Sequence, residues 1–114
     1  MVVDDDTDII YTIKEGLNTE YEVISAESGK QCIQILETEI PDIILLDIMM
    51  QDMSGWETFN EIREKPLLKT VPIIFITART DEIAKDAGGF LGDDYIEKPF
   101  TISDLKVRID RLLK

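Results

Sequence analysis

Four aspartates stand close together near the start of the chain, directly after the apolar residues "MVV". Three of them are consecutive, from Asp4 to Asp6, and Asp8 follows after one threonine. Neighbouring carboxylates repel one another and resist losing water, so a folded chain tolerates them only where they have a role. They can cap the helix that follows, or they can bind a cation.

Polar side chains also follow other apolar runs that resemble strands. Asp47 comes after "IILL", Thr77 ends "IIFIT", and Lys98 follows "DYIE". Taken singly, Thr77 can be an ordinary strand residue and Lys98 a surface lysine. Asp47 has no helix to cap, because the next helix start, Ser54, lies seven residues further on. If the strands are parallel neighbours, these groups converge at the carboxyl edge of one sheet.

This combination of side chains suits phosphoryl transfer to a carboxylate. Carboxylates from two strands offer the oxygen-only site that Mg²⁺ (or Mn²⁺) prefers, so we predict that Asp4 and Asp5 bind the cation. Asp47 can attack phosphorus and form an aspartyl phosphate, while Thr77 and Lys98 contact the phosphoryl oxygens. The chain has no His and no "GxxxxGK" motif, which excludes Ser-His-Asp and Cys-His hydrolysis and a P-loop.

Five short apolar runs alternate with amphipathic segments and predict five β-α repeats. The predicted strands are "MVV", "YEVISA", "DIILLD", "VPIIFIT" and "DYIEK". Because the third and fourth are almost entirely apolar, we predict an α/β fold with a parallel sheet covered by helices on both faces. The fourth helix, after Thr80, is the weakest of the five, since Gly88 and Gly89 lower its helix propensity.

The ends of the predicted helices carry recognisable signals. Ser28, Ser54 and Thr101 each precede a longer polar residue by three positions, which is the reciprocal capping pattern. Pro41 and Pro66 are predicted to close the second and third helices. The predicted apolar faces comprise Ile9, Ile13 and Leu17; Ile33, Leu36 and Ile40; Trp56, Phe59 and Ile62; and Leu105, Ile109 and Leu112.

Length and composition limit the classes of protein that the sequence can encode. The 114 residues suffice for one domain, residues 1–114, with a single core. A net charge of −12, from 24 acidic and 12 basic residues, argues against direct nucleic-acid binding. The apolar runs are too short to cross a membrane. The lone Cys32 cannot form an internal disulfide, which favours a reducing, cytoplasmic location.

In these motifs the sequence resembles the receiver domain of two-component response regulators, the CheY-like family. The resemblance covers essentially the whole chain and depends on "VVDDD", "LLDIMMQDMSG", "IIFITA" and "DYIEKPF" in that order. It implies a doubly wound, flavodoxin-like fold: a five-stranded parallel sheet in the order 2-1-3-4-5 with five helices. It also implies a signalling domain rather than an enzyme, with only self-phosphorylation and self-dephosphorylation.

The resemblance implies a role for each acid and for one backbone group. Asp47 would accept the phosphoryl group from a histidine kinase or a phosphotransfer protein. Asp4, Asp5 and Asp47 would bind the metal, Asp5 being the more direct ligand of the amino-terminal pair. The backbone carbonyl of Met49 would complete the metal's protein ligands.

The remaining implied roles concern signalling. Lys98 would contact the phosphate and would precede Pro99 through a cis peptide bond. Thr77 and Tyr95 would form the switch pair that remodels the surface of the fourth helix, the fifth strand and the fifth helix. The implied partners are the kinase, an output domain or effector protein and, on phosphorylation, a second copy of the chain. Whether the domain is free-standing or part of a larger regulator or hybrid kinase stays open.

Three features depart from the family pattern. Gln51 stands where proline is common, which should loosen the loop beside Asp47. The stretch from Thr77 to Lys98 is one residue short, and "MVV" is short for a central strand. Met49 and Arg79 occupy the positions that tune dephosphorylation in the family.

The same acids fit three other kinds of site less well. A haloacid dehalogenase-type phosphatase would use Asp4 and Asp6. Its motif, however, requires Thr or Val at the position of Asp8, and its mechanism would give Asp47 no role. A calcium loop would need glycine where Ile9 stands. A flavin site would need a hydroxyl-rich phosphate loop, which "DDDTD" does not supply. Phosphoryl transfer to Asp47 therefore remains the leading hypothesis.

Overall fold

The computed structural model describes residues 1–78 and 93–113. These residues contain five parallel strands and four α-helices. The strands are β1 (Val2–Val3), β2 (Ser25–Ala26), β3 (Ile44–Asp47), β4 (Ile73–Thr77) and β5 (Asp94–Glu97). The helices are α1 (Thr7–Leu17), α2 (Gly29–Ile35), α3 (Gly55–Glu64) and α4 (Ile102–Leu113), with a 3₁₀ turn at Pro66–Leu68. In these ranges we find no helix with the length and apolarity that a membrane span requires.

The strands form one sheet in the order β2-β1-β3-β4-β5, with every neighbouring pair parallel. This is the predicted flavodoxin-like order, and the predicted fold class is confirmed. Of the five predicted helices, the fourth falls on residues outside the described ranges, and α4 is the fifth. Because β1 and β3 are adjacent at the centre of the sheet, their carboxyl ends lie side by side.

Two apolar cores cover the opposite faces of the sheet. Leu46 and Phe75 belong to the core that contains residues of α2 and α3. Leu45 and Ile74, the adjacent strand residues, belong to the core that contains residues of α1 and α4. Since successive side chains of a strand point to opposite faces, a strand buried on both sides must be apolar throughout. Burial on both faces of the sheet therefore explains the continuous apolar runs of β3 and β4.

The predicted helix starts are confirmed by side-chain caps. Ser54 accepts a hydrogen bond from the N–H of Glu57, whose side chain accepts one from the backbone of Ser54, so the capping box is complete. Ser28 and Thr101 each accept from the N–H three residues further on. The Gln31 side chain accepts from the N–H before Ser28 instead of from Ser28 itself. Three of the four helices therefore begin where the sequence indicates.

The end of α2 was predicted wrongly. The helix stops at Ile35, well before Pro41, and Ile40 is 56% exposed instead of lying on a buried face. A short helix ending in a turn after Leu36 already buries its apolar residues, so the proline is not needed to end it. In α1 the buried positions are Ile10, Ile13 and Leu17, with Ile9 only partly buried at the edge of the core.

Candidate functional site

Asp4 and Asp47 lie side by side at the carboxyl ends of β1 and β3. Val3 is paired with Leu46 in the sheet, so the next residue of each strand is one of the two acids. Asp4 is 0% and Asp47 is 3% exposed. One carboxylate oxygen each from Asp4, Asp5 and Asp47 lies within 4.8 Å of the other two. The acid cluster that the sequence predicted is therefore present.

The amino-terminal acids have two different roles in the structure: one caps helix α1, and others belong to the carboxylate cluster. Asp6 caps α1 by accepting a hydrogen bond of 2.9 Å from the N–H of Asp8. Asp4 uses Oδ1 to accept from the N–H of Asp6 at 2.9 Å. Its Oδ2 is buried and accepts no hydrogen bond within the described part of the chain. The cap thus belongs to Asp6, which leaves Asp4 and Asp5 available to a cation.

Lys98 brings a positive charge to the two buried carboxylates. Its Nζ lies 3.3 Å from Oδ2 of Asp4 and 3.4 Å from Oδ1 of Asp47. Its backbone N–H donates to the carbonyl of Thr77 at 2.7 Å, which fixes the end of β5 against β4. The peptide bond from Lys98 to Pro99 is cis, as the family resemblance implied. Lys98 is therefore positioned to contact any anion bound at Asp47.

The carboxyl group of Asp47 is held in an unfavourable environment for a negative charge. Burial raises its pKa from the ordinary value of 3.8 to about 7, and the charge of Asp4 acts in the same direction. Lys98 acts in the opposite direction and does not cancel the other two. A further positive charge beside Asp47 would favour the ionised, nucleophilic form.

The two predicted switch residues occupy neighbouring strands. Thr77 is the last residue of β4 and is fully buried. The register of β3 and β4 pairs Asp47 with Ile76, so Thr77 lies one position further toward the carboxyl edge. Tyr95 is exposed on β5, and the guanidinium carbon of Arg108 lies 6.0 Å from the centre of its ring. The movement assigned to this pair stays a prediction.

The loop after Asp47 exposes the side chain of Met49, which is 63% accessible. The metal ligand implied by the resemblance is the backbone carbonyl of this residue, and that role also stays a prediction. Gln51 is exposed in the same loop, so its replacement of proline removes no packed side chain. Arg79 lies outside the described residues.

Gly55 is a site-forming residue that the sequence did not reveal. It opens α3, and its N–H donates to the carbonyl of Ile48 at 2.8 Å. A Cβ at this position would collide with the backbone carbonyl of Asp47. The glycine therefore lets α3 approach the strand end that carries the acid. A glycine directly after the capping Ser54 was the available signal, but the contact depends on the folded geometry.

The donor atoms of the cluster fit a hard divalent cation. All three side chains offer carboxylate oxygens. Among the residues that the structure describes, the buried Oδ2 of Asp4 has an ion pair with Lys98 and no hydrogen bond. Mg²⁺ needs only one or two protein carboxylates because it keeps several waters. Asp5 is exposed, so solvent water can reach a cation bound beside it.

Comparison with known proteins identifies the family. The family model for the response regulator receiver domain matches residues 1–110, so the chain belongs to that family. A probable cyclic di-GMP phosphodiesterase of Vibrio cholerae is 38% identical over 96% of this chain and 25% of its own length. The alkaline phosphatase synthesis transcriptional regulatory protein PhoP of Bacillus subtilis is 35% identical over 100% of this chain and 48% of its own length. The chain thus spans about half the length, or less, of these relatives.

A solved structure agrees with the assignment. Response regulator protein TrrA of Thermotoga maritima, in complex with Mg²⁺-BeF, is 34% identical and superposes with a TM-score of 0.86. The match covers 98% of this chain and 96% of the other. Receiver domains of this family function in signalling. The fold, the order of the motifs and the acid cluster all agree that the chain is a two-component receiver domain.

Proposed function

We propose that residues 1–114 form one receiver domain that takes a phosphoryl group onto Asp47 from a histidine kinase or phosphotransfer protein. The observation that supports this most directly is the clustering of Asp4, Asp5 and Asp47 within 4.8 Å. Lys98 adds support, since its Nζ lies between the two buried acids. The reaction modifies the domain itself, so we do not propose an enzyme that acts on another substrate.

Asp47 acts as the nucleophile in the proposed transfer. One carboxylate oxygen forms a bond to phosphorus as the bond from phosphorus to the donor imidazole nitrogen breaks, and the electron pair returns to the imidazole. Lys98 neutralises charge on the phosphoryl oxygens, and the Thr77 hydroxyl donates a hydrogen bond to one of them. Burial of Asp47 excludes water from much of this space, which strengthens both contacts.

A divalent cation, Mg²⁺ or Mn²⁺, is the cofactor that the donor atoms suit. Asp4, Asp5, Asp47 and the carbonyl of Met49 would hold it. When bound, it would supply positive charge to the phosphoryl oxygens and would let the adjacent carboxylates stay ionised. The buried Oδ2 of Asp4 supports this assignment.

The signal would leave the site through Thr77 and Tyr95. In this proposal Thr77 moves toward the phosphoryl group and Tyr95 turns inward behind it. That change would remodel the surface of the predicted fourth helix, β5 and α4, where an output domain, an effector protein or a second copy would bind. A preference of a few kcal/mol for one arrangement is enough, since about 5.5 kcal/mol takes a population from 1:99 to 99:1.

The donor protein would bind at an apolar cleft next to Lys98. This cleft, of about 450 Å³, is bounded by Ile9 of α1 and by Pro99 and Phe100 of the loop before α4. A helix that carries the phosphohistidine could bury apolar side chains there while the histidine reaches Asp47.

The cytoplasm is the proposed location, in keeping with the buried Cys32 thiol, whose pKa burial raises to about 12.

The phosphatase alternative loses its support. It would use Asp6 beside Asp4, but Asp6 caps α1 through the N–H of Asp8. The matching family model is also that of a receiver domain.

The test uses Trp56, the only tryptophan, which lies in the first turn of α3. Its ring centre is 4.7 Å from that of Phe75 on β4. We expect acetyl phosphate or beryllofluoride with Mg²⁺ to change its fluorescence, and we expect Asp47→Asn to abolish the change. Asp52→Asn, which alters an exposed acid of the same loop, is the matched control and should respond normally. An undiminished response in Asp47→Asn would place the acceptor elsewhere.

A further inference from the structure

The loop of residues 48–54, which joins β3 to α3, is closed by backbone hydrogen bonds at its two ends. The N–H of Ile48 donates to the carbonyl of Ile76 on β4 at 3.1 Å, and the N–H of Gly55 donates to the carbonyl of Ile48 at 2.8 Å. These bonds fix where the loop leaves the sheet and where it enters the helix. Side chains at the far end of the loop add a second kind of support, which the sequence did not reveal.

Met53 of this loop and Thr58 of α3 pack against the first residue of α2. That residue is Gly29, which is buried. A Cβ on Gly29 would overlap the hydroxyl oxygen of Thr58, and it would lie 2.8 Å from Sδ and 3.0 Å from Cβ of Met53. Such a close approach is possible only because residue 29 has no side chain. The end of the loop and the first turn of α3 therefore lie directly against the backbone of α2.

Thr58 connects this contact to the residues beside the acid cluster. It is 0% exposed, and its hydroxyl donates to the carbonyl of Ser54 at 2.9 Å. Gly55 follows Ser54 and leaves no room for a Cβ beside the backbone carbonyl of Asp47. Because closely packed interiors transmit strain, a displacement of Thr58 would move the backbone beside Asp47.

We propose that Met53 and Thr58 are positioning residues of the cation site, and that Gly29 is the surface against which they are fixed. None of the three is one of the proposed ligands. They act through the loop, since they hold its backbone in place beside Asp47 and around the carbonyl of Met49. Mg²⁺ demands nearly ideal octahedral geometry, so a small displacement of the loop should lower its affinity. This inference rests on the proposed function, because it assumes the cation site described there.

A role in packing alone would give a different result. If the three residues only stabilise the contact between α2 and α3, their substitution changes the melting temperature but not the affinity of the folded protein for Mg²⁺. Positioning predicts a change in affinity well below the melting temperature of every variant. Isothermal titration at such a temperature therefore separates the two roles.

Gly29→Ala tests the surface against which the loop is fixed. The new methyl group overlaps Thr58, whose backbone belongs to α3, so the first turn of α3 and the loop must move. We expect the dissociation constant for Mg²⁺ to rise by about tenfold, the lower end of the effect of losing a group that orients a metal ligand.

Thr58→Ala added to Gly29→Ala is the compensating change. It removes the hydroxyl oxygen that the new methyl group overlaps, and the flexible end of Met53 can rotate away. We expect the double variant to bind Mg²⁺ with a dissociation constant within about threefold of the wild-type value, so that the two substitutions compensate instead of adding.

Met53→Ala tests the same contact from the side of the loop and adds no bulk to the interior. We expect it to raise the dissociation constant by about fivefold, because the loop loses its contact with Gly29. Met53→Leu conserves the volume of the side chain and should stay within about twofold of wild type.

A measurement without metal completes the experiment. With EDTA present, amide hydrogen exchange of Gly55, whose N–H closes the loop, should be about tenfold faster in Gly29→Ala than in wild type and should slow again in the double variant. Gly16→Ala is the matched control. It places a Cβ 2.8 Å from the side chain of Ile102, so it crowds the contact of α1 with α4 and should leave both quantities unchanged.

Unchanged Mg²⁺ affinity in Gly29→Ala or in Met53→Ala, while the wild type binds the cation, would overturn the positioning role and leave the proposed function intact. A double variant that binds no better than Gly29→Ala would also overturn it. If Gly29→Ala does not fold, Met53→Ala and Met53→Leu decide the matter. A wild-type chain that binds no Mg²⁺ would refute the proposed cofactor, and this inference with it.

Discussion

Substitution of Lys98 tests whether cation binding and contact with the phosphoryl group depend on different residues. Its Nζ lies within 3.4 Å of both buried acids, but it is a cation itself and cannot be a metal ligand. We expect Lys98→Ala to retain Mg²⁺ affinity, because the carboxylates remain and a competing positive charge is lost. Transfer from acetyl phosphate should slow by about tenfold or more, since one contact to the phosphoryl oxygens disappears.

Isothermal titration measures the first quantity and Trp56 fluorescence the second. Lys106→Ala is a suitable control, because Lys106 pairs with Glu20 on another part of the surface. Loss of Mg²⁺ affinity in Lys98→Ala, with the control unaffected, would contradict the division of roles.

The raised pKa of Asp47 predicts how the metal-free protein responds to pH. Between the ordinary value of 3.8 and about 7, the unfolded chain has lost this proton while the folded chain still holds it. Stability that is present below pH 4 is therefore lost as the pH rises toward 7. With EDTA present, we expect Asp47→Asn to flatten this part of the curve of unfolding free energy against pH. A wild-type curve that rises over the same window in excess of the variant's would refute the expectation.

Residue identity and spacing predicted that the acids and Lys98 lie close together, for a physical reason. Carboxyl ends of parallel strands share one edge, so Asp4, Asp47, Thr77 and Lys98 could be placed at that edge once the sheet was predicted to be parallel. Which of the neighbouring acids caps α1 was not predicted, because Asp4, Asp5 and Asp6 can each cap a helix; the structure gives this role to Asp6. The choice depends on which carboxylate lies beside β3 once the sheet has formed.

Two glycines lie where a helix packs against another part of the fold, and we expect alanine to have different effects on stability at the two positions. A Cβ on Gly55 would meet the backbone of Asp47, which cannot move without displacing β3. The three atoms nearest to a Cβ on Gly16 belong to the side chain of Ile102, the nearest at 2.8 Å, and this side chain can change rotamer. We expect Gly55→Ala to lower the unfolding free energy by about 2 kcal/mol or more and to weaken Mg²⁺ binding.

Gly16→Ala is the matched control. Alanine improves helix propensity by about 1 kcal/mol, which should offset much of the crowding at Ile102. Urea denaturation measures both variants. A Gly55→Ala chain as stable as Gly16→Ala would show that α3 can move away from Asp47 freely.

The ends of elements were less predictable than their order. Caps act through bonds to residues three positions away, so Ser28 and Ser54 were visible in the sequence. The end of α2 depends on how much apolar surface the sheet can cover, and Ile40 was assigned to a helix that had already stopped at Ile35. Contacts across elements, such as that of Gly55 with Asp47, have no sequence period and were missed.

For the whole molecule, the net charge of −12 predicts a marked response to salt. The Debye length is about 30 Å at 0.01 M salt and about 10 Å at 0.1 M. The molecule measures 35 × 33 × 29 Å, so at the lower concentration its acids repel one another across the entire fold. At the higher concentration only near neighbours interact strongly. Added salt should therefore stabilise the metal-free chain.

We expect its melting temperature to rise by about 2–4 °C between these concentrations of NaCl, with EDTA present. Choline chloride is the matched control, because it screens equally but its bulky cation does not fit between carboxylates. Equal rises with the two salts would indicate screening of the whole surface. A larger rise with NaCl would indicate Na⁺ at Asp4, Asp5 and Asp47. A fall in both would show that ion pairs such as Lys106 with Glu20, rather than repulsion among the acids, dominate the electrostatics of the fold.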